Sequence, residues 1–133
     1  MKSFKEQYNL SYDTSGFKSG IIDWYNKLID KNYDNITVAD VSKMIRQDVL
    51  KDIAIEKAIE LFLLNPFDGE YGFGGLLEIL NLLDINSLSL LNVDRLKTAL
   101  KSINFADSEW SNVEEKHQYV RNLESLTIKL ESI

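Results

Sequence analysis

Apolar residues recur every three or four positions along most of this chain, a spacing that places them on one face of an α-helix. These stripes predict helices that begin near residue 20, after Thr37, near Val49, at Gly75, after Asn92 and at Ser108. At most one short helix is expected in the first 17 residues, near Phe4 to Tyr8. The pattern therefore predicts an all-α fold, a single-domain bundle of about six helices over residues 1–133, with a less ordered segment at 1–17.

Local signals predict where several of these helices begin and end. Thr37 followed by Asp40 resembles a capping box, with Asp in the place of the usual Glu. A break is expected near residues 46–48, before the most apolar helix, at about 49–64. Pro66 ends that helix, because the residue before a proline is pushed out of the helical region. Asn92 is expected to cap the helix that follows it.

Two helices have a distinctive apolar pattern. Residues 75–84 carry leucine or isoleucine at six of ten positions, which predicts a helix buried on more than one side. The last helix is expected to bury a stripe that includes the chain's one histidine, with residues Trp110, Val113, His117, Val120, Leu123, Leu126 and Leu130. A catalytic or metal-binding histidine usually needs a second ligand or base nearby, and the sequence has no such pair. His117 is therefore expected to be structural.

The net charge of the chain adds a functional feature to this helical fold, because it is confined to one stretch. The chain has a formal net charge of −6, and residues 48–84 hold eight acids against two lysines, so the rest is neutral. Four of those acids follow at intervals of four, which on one helix makes a continuous carboxylate ridge: Asp48, Asp52, Glu56 and Glu60. The ridge is either a solvated face or a surface for a basic partner, and both readings stay open.

A loop follows the ridge and adds a second candidate feature. Residues 65–75 hold the only proline, four of the six glycines and three aromatic rings. Phe67, Tyr71 and Phe73 are expected to tuck under the loop rather than to protrude, and Tyr71 is the best candidate for an exposed contact. Asp68 and Glu70 extend the acidic character of the ridge into this loop.

Composition argues against several classes of function. There is no cysteine, hence no disulfide, thiolate metal site or cysteine nucleophile. Three arginines without a basic cluster argue against direct nucleic-acid binding, and the acidic charge disfavours an anionic membrane. No nucleophile–base pair, metal-ligand set or cofactor motif is legible, so we expect neither an enzyme nor a cofactor. With no apolar leader at the N-terminus and no long apolar run, the expected location is the cytoplasm.

The acidic, cysteine-free, helical character and the segment at residues 61–77, Leu-Phe-Leu-Leu-Asn-Pro-Phe-Asp-Gly-Glu-Tyr-Gly-Phe-Gly-Gly-Leu-Leu, give the chain a family resemblance. It resembles the helical immunity proteins of bacterial contact-dependent growth inhibition systems. The resemblance implies a cytoplasmic protein that binds a cognate toxin domain, often a nuclease, and blocks it. A nuclease presents a cationic cleft to nucleic acid, which an acidic protein would occupy.

On this hypothesis the candidate partner-binding residues are those selected by charge and loop position: Asp48, Asp52, Glu56, Glu60, Asp68, Glu70 and Tyr71. The partner is expected to be a basic toxin domain, bound in a salt-sensitive way. The alternative is a non-enzymatic helical scaffold or self-associating domain, in which the leucines between Leu76 and Leu83 supply a dimer face. That interface would be nearly insensitive to salt.

Overall fold

A computed structural model describes residues 1–15, 20–68, 75–103 and 112–132. These ranges contain seven α-helices, one short 3₁₀ helix at Ile85–Ser87 and no β-strand. The prediction of an all-α single domain is confirmed, and the seven α-helices of these ranges correspond to the six predicted stripes and the short N-terminal helix. The α-helices are α1 (Phe4–Gln7), α2 (Gly20–Ile29), α3 (Val38–Gln47), α4 (Lys51–Leu64), α5 (Gly75–Asn81), α6 (Leu90–Lys101) and α7 (Val113–Glu131).

Helix α4 lies at the centre of the fold and contacts α3, α5 and α6. It buries residues over about half of its circumference, including Ala54, Ala58, Ile59 and Phe62. The two alanines have short side chains, which lets neighbouring helices approach α4 closely. The remaining side of α4 carries Asp52 and Glu56, so the helix that fills the core also presents the acids.

Helix α5 is buried on several sides, as its dense apolar pattern predicted. It packs against α3, α4 and α7, and its apolar side chains all belong to the core: Leu76, Leu77, Ile79 and Leu80. Leu83, just beyond the helix, is buried as well, whereas Leu82 is exposed. The expectation that this segment supplies a dimer face is therefore wrong, because these leucines already pack inside the monomer.

The start of α3 confirms the predicted capping box. The Thr37 hydroxyl accepts a hydrogen bond of 3.2 Å from the Asp40 amide, and the Thr37 amide donates one of 3.0 Å to the Asp40 carboxylate. Asp40 is buried and also accepts from Lys31 Nζ at 2.7 Å and from Trp24 Nε1 at 3.3 Å. One carboxylate thus caps α3 and ties it to α2 and the residues that follow α2.

The start of α6 differs from the prediction. Ser89 is the N-cap, and its hydroxyl accepts a hydrogen bond of 3.2 Å from the Asn92 amide. Asn92 therefore lies inside the first turn, where its side chain is buried against α4. Serine caps helices as well as asparagine does, and a helix that begins at Leu90 leaves the Asn92 side chain free to bond to Glu56 of α4.

Helix α7 buries the C-terminal part of the predicted stripe but not its N-terminal part. Val113 and His117 are exposed, and Tyr119 is buried in their place with Leu126 and Leu130. The Tyr119 hydroxyl donates a hydrogen bond of 2.8 Å to the Pro66 carbonyl, which explains how a tyrosine is accommodated in the core. The predicted start of this helix at Ser108 lies outside the described residues.

The N-terminal segment contains the predicted short helix. Phe4 in α1 is buried in the core, and its amide donates a hydrogen bond of 2.8 Å to the Lys31 carbonyl. Helix α2 begins at Gly20, as expected, and buries Leu28 and Ile29, whereas Ile21 of the predicted apolar face is exposed.

Candidate partner-binding surface

The predicted carboxylate ridge is interrupted at its first member. Asp48 is not on α4 but is the C-cap of α3, with the left-handed backbone angles φ 55° and ψ 45°. Leu50 is also left-handed, so the chain turns sharply and α4 begins only at Lys51. The prediction of one ridge of four acids on a single helix is therefore wrong, because the left-handed turn at Asp48 and Leu50 ends α3 and separates Asp48 from the other three acids. Aspartate tolerates this conformation better than most residues.

Asp52 lies in the first turn of α4 and is exposed. A carboxylate there interacts favourably with the unsatisfied amides and the partial positive charge at the start of a helix. Asp52 also forms part of the wall of a surface depression of about 200 Å³ between α4 and the start of α6. It is the acid of α4 that remains most available to a partner.

Glu56 is held by α6. Its carboxylate accepts a hydrogen bond of 2.8 Å from Asn92 Nδ2 and one of 3.1 Å from Arg95 Nη1. Arg95 Nη1 also donates to Asn92 Oδ1 at 3.1 Å, so the three side chains form a closed polar cluster. Half of the Glu56 side chain remains exposed, but Arg95 offsets its charge. Glu56 therefore contributes to the fold as well as to the surface.

Glu60 is held from the other side of α4. It accepts a hydrogen bond of 2.5 Å from the Tyr33 hydroxyl, and the Lys57 ammonium lies 4.7 Å from the centre of the Tyr33 ring. Burial raises the pKa of Tyr33 above its usual value, and the bond to Glu60 raises it further. Lys57 is only 7% exposed, so this lysine packs its stem into the core and meets the aromatic face.

The structure describes only part of the loop at residues 65–75 and of its candidate residues. Asp68 is half-buried, and its backbone carbonyl accepts a hydrogen bond of 2.9 Å from the Leu76 amide, which joins the two described ends of the loop. Phe67 is buried against Tyr119, with 5.3 Å between ring centres, so the tucked position expected of it is confirmed. Glu70, Tyr71 and Phe73 lie outside the described residues.

The structure adds two candidates that the sequence analysis missed. Leu90 and Leu91, the first two residues of α6, are 77% and 68% exposed. They lie in the chain between Ser89 and Asn92, which both line the depression beside Asp52. Their position in the sequence could have indicated that they are exposed, because neither leucine belongs to the apolar core stripe of α6, which begins at Val93.

Nowhere in the described ranges do three or more histidine or acidic side chains cluster closely enough to hold a metal ion. Within the same ranges, no helix combines the length and apolar character that a bilayer crossing requires. The surface carries carboxylates, the Asn92 amide and two exposed leucines, groups that also occur in contacts with other proteins.

Comparison with known proteins gives the family. A search of curated proteins finds no match to this chain. A model of the CDI immunity proteins, the immunity proteins of contact-dependent growth inhibition, matches residues 6–97, more than two thirds of the sequence. The matched range runs from within α1 to within α6 and includes the acids of α4 and the exposed leucines. The chain belongs to the family of CDI immunity proteins.

Proposed function

We propose that this immunity protein neutralises a basic toxin domain, a nuclease, by placing an acidic face over the toxin's active or substrate-binding surface. The protein acts by binding rather than by catalysis, and it does so in the cytoplasm. Family membership carries the proposal, because an immunity protein has a cognate toxin as its partner. The charge distribution supports the finer statement about the chemistry of that partner.

The acidic stretch keeps several carboxylates at the surface. Asp48, Asp52, Glu78 and Asp84 are exposed, and Glu56 is half-exposed. Nucleases bind a polyanion and need a cationic surface to do so, since phosphate contacts supply much of nucleic-acid affinity. An acidic protein of net charge −6 is attracted to the same surface and competes with the nucleic acid for it.

The internal hydrogen bonds of the acidic face favour this mode of binding. Glu56 and Glu60 are held by Asn92, Arg95 and Tyr33, so their carboxylates occupy defined positions before any partner arrives. A carboxylate that is already ordered loses less side-chain freedom on binding than a mobile one. Asp48 and Asp52, at the exposed end of this face, supply charge that no internal cation in the described ranges pairs with at close range.

The experiment uses the toxin domain encoded beside the gene of this chain, with its catalytic activity removed by mutation. Binding to the immunity protein is measured at about 50 mM and about 500 mM salt, which shortens the screening length several-fold. We expect a tight complex that weakens at high salt. No complex, or a complex indifferent to salt, would contradict the proposed acidic interface.

A competition measurement separates occlusion from inhibition at a distance. The inactive toxin domain is first loaded with a labelled nucleic acid, and the immunity protein is then added in increasing amounts. If the acidic face covers the substrate surface, the nucleic acid is displaced in proportion to the complex formed. A stable ternary complex of toxin, nucleic acid and immunity protein would show that the toxin is bound elsewhere.

A further inference from the structure

The start of α6 presents an apolar pair that the fold itself does not use. Leu90 and Leu91 are exposed, whereas Val93 and Leu96 of the same helix are buried in the core. Polar residues are the ordinary choice for the solvent side of a first helical turn. A single exposed leucine is common on protein surfaces, whereas two adjacent ones in a first helical turn form a candidate contact site.

A depression lined by the flanking residues Ser89 and Asn92, and not by the two leucines themselves, has both apolar and acidic walls. It measures about 200 Å³ and is lined by apolar Ile55 and Leu88 and by acidic Asp52 and Glu56. Asp94 lies one helical turn beyond Leu90, on the same exposed side of α6. The start of α6 therefore carries two exposed leucines, with one carboxylate on the same side of the helix and others in the adjoining depression, and both kinds of group are found in protein–protein interfaces.

We propose that Leu90 and Leu91 are the apolar anchors of the toxin interface and that Asp52 and Asp94 pair with basic residues around the toxin site that receives them. This inference rests on the proposed function and extends it to a surface outside the predicted acidic residues. The acids govern how quickly the toxin arrives, and the leucines govern how long it stays.

A second copy of this chain is a poorer occupant of the same site. A two-fold contact is self-complementary, so each patch meets an identical patch. Two copies joined through Leu90 and Leu91 would bring together two surfaces that both carry Asp52 and Asp94. Like charges across an interface oppose association, whereas a basic toxin surface turns the same acids into attractive contacts.

The test replaces both leucines with glutamine, as Leu90→Gln with Leu91→Gln. The matched control is Leu82→Gln with Ile128→Gln, because those side chains are 67% and 66% exposed and lie away from α6, just after α5 and on α7. Binding is measured to the inactivated toxin domain encoded beside the gene. We expect Kd to rise at least about tenfold for the α6 variant, mainly through faster dissociation, and to change less than about twofold for the control.

The outcomes separate this inference from the proposed function. If the wild-type protein binds the toxin and the α6 variant binds equally well, the leucines are not anchors and the proposed function stands. If the wild-type protein does not bind, both proposals fall together. If the wild-type protein is a dimer that the α6 variant converts to a monomer, the pair is a self-association face and the inference is overturned. Leu90→Ala with Leu91→Ala repeats the test with a stronger helix former.

Discussion

The side-chain amide of Asn92 donates a hydrogen bond of 2.8 Å to the carboxylate of Glu56. This bond joins α6 to α4 across 36 residues of sequence, and Arg95 bonds to both partners. Asn92 is buried, whereas the Glu56 side chain is half-exposed, so the cluster spans from the core to the surface. The start of α6, with its exposed leucines, is thereby positioned by an acid of the proposed toxin-facing surface.

Replacement of Asn92 by alanine tests this connection. We expect Asn92→Ala to lower the free energy of unfolding by about 1–2 kcal/mol, because a partly buried hydrogen bond to a charged group is lost. Chemical denaturation of the variant measures the change. Glu56→Ala should then cost less in the Asn92→Ala background than in the wild type. Strictly additive losses would show that the two side chains are not coupled.

Reversal of one exposed charge tests the acidic face. Asp52→Lys is expected to slow association with the toxin domain about threefold to tenfold at low salt, with little effect on dissociation. The control is Glu124→Lys, which makes the same change of net charge at an exposed position on α7. Stopped-flow measurements compare the association rates of the two variants with that of the wild type. Equal slowing by both variants would attribute the effect to net charge alone and not to the α4 surface.

Asp40 predicts a loss of stability in acid. Burial alone would raise the pKa of Asp40, but hydrogen bonds from Lys31, the Thr37 amide and Trp24 outweigh it and hold the pKa below its usual value. The stabilisation is therefore complete above about pH 4, where the unfolded carboxyl is ionised too, and it disappears as the pH falls through the folded-state pKa.

The variant that isolates this effect is Asp40→Asn. We expect it to cost about 2 kcal/mol at neutral pH, since it weakens a helix cap and leaves the Lys31 ammonium without its ion-pair partner. Its stability should also fall less steeply than that of the wild type between about pH 4 and pH 2. Parallel pH profiles for the two proteins would show that Asp40 does not carry the acid sensitivity.

The buried hydroxyl of Tyr119 predicts a loss of folding stability in base. Burial raises the pKa of Tyr119 above its usual value, so the folded protein keeps the proton more firmly than the unfolded chain. The stabilisation is present below about pH 10 and is lost as the pH rises beyond it. Tyr119→Phe should cost about 1 kcal/mol at neutral pH through the lost bond to Pro66, and this deficit should shrink above pH 10. Urea unfolding of the variant and the wild type at neutral pH and above pH 10 measures this deficit.

The helices were predictable because each depends on a short-range pattern. The capping pair Thr37 and Asp40 and the apolar residues of α5 were found where the sequence placed them. The errors arose where two local signals competed. Ser89 and Asn92 both favour a helix start, and only the burial of Asn92 against Glu56 decides between them. His117 likewise fits the apolar stripe of α7 in spacing, but Tyr119 is the residue that contacts Pro66.

The hydrogen-bond partners of the candidate acids could not be predicted from the sequence, for a different reason. The partner of Glu60 is Tyr33, 27 residues away, and no local spacing connects the two. The left-handed backbone at Leu50 was equally hidden, because leucine rarely adopts it. The four-residue interval predicted the alignment of Asp52, Glu56 and Glu60 on α4 but could not reveal which of them bond internally.

The packing of α5 against α7 has a consequence for synthesis of the protein on the ribosome. The matched family range ends within α6, yet Tyr119, Leu126 and Leu130 of α7 belong to the same core as the leucines of α5. A nascent chain that has reached Lys101 has therefore made the other six α-helices but cannot cover α5. At about 5–20 residues per second, translation needs a few seconds to reach Leu130. The core around α5 is therefore completed only after that interval.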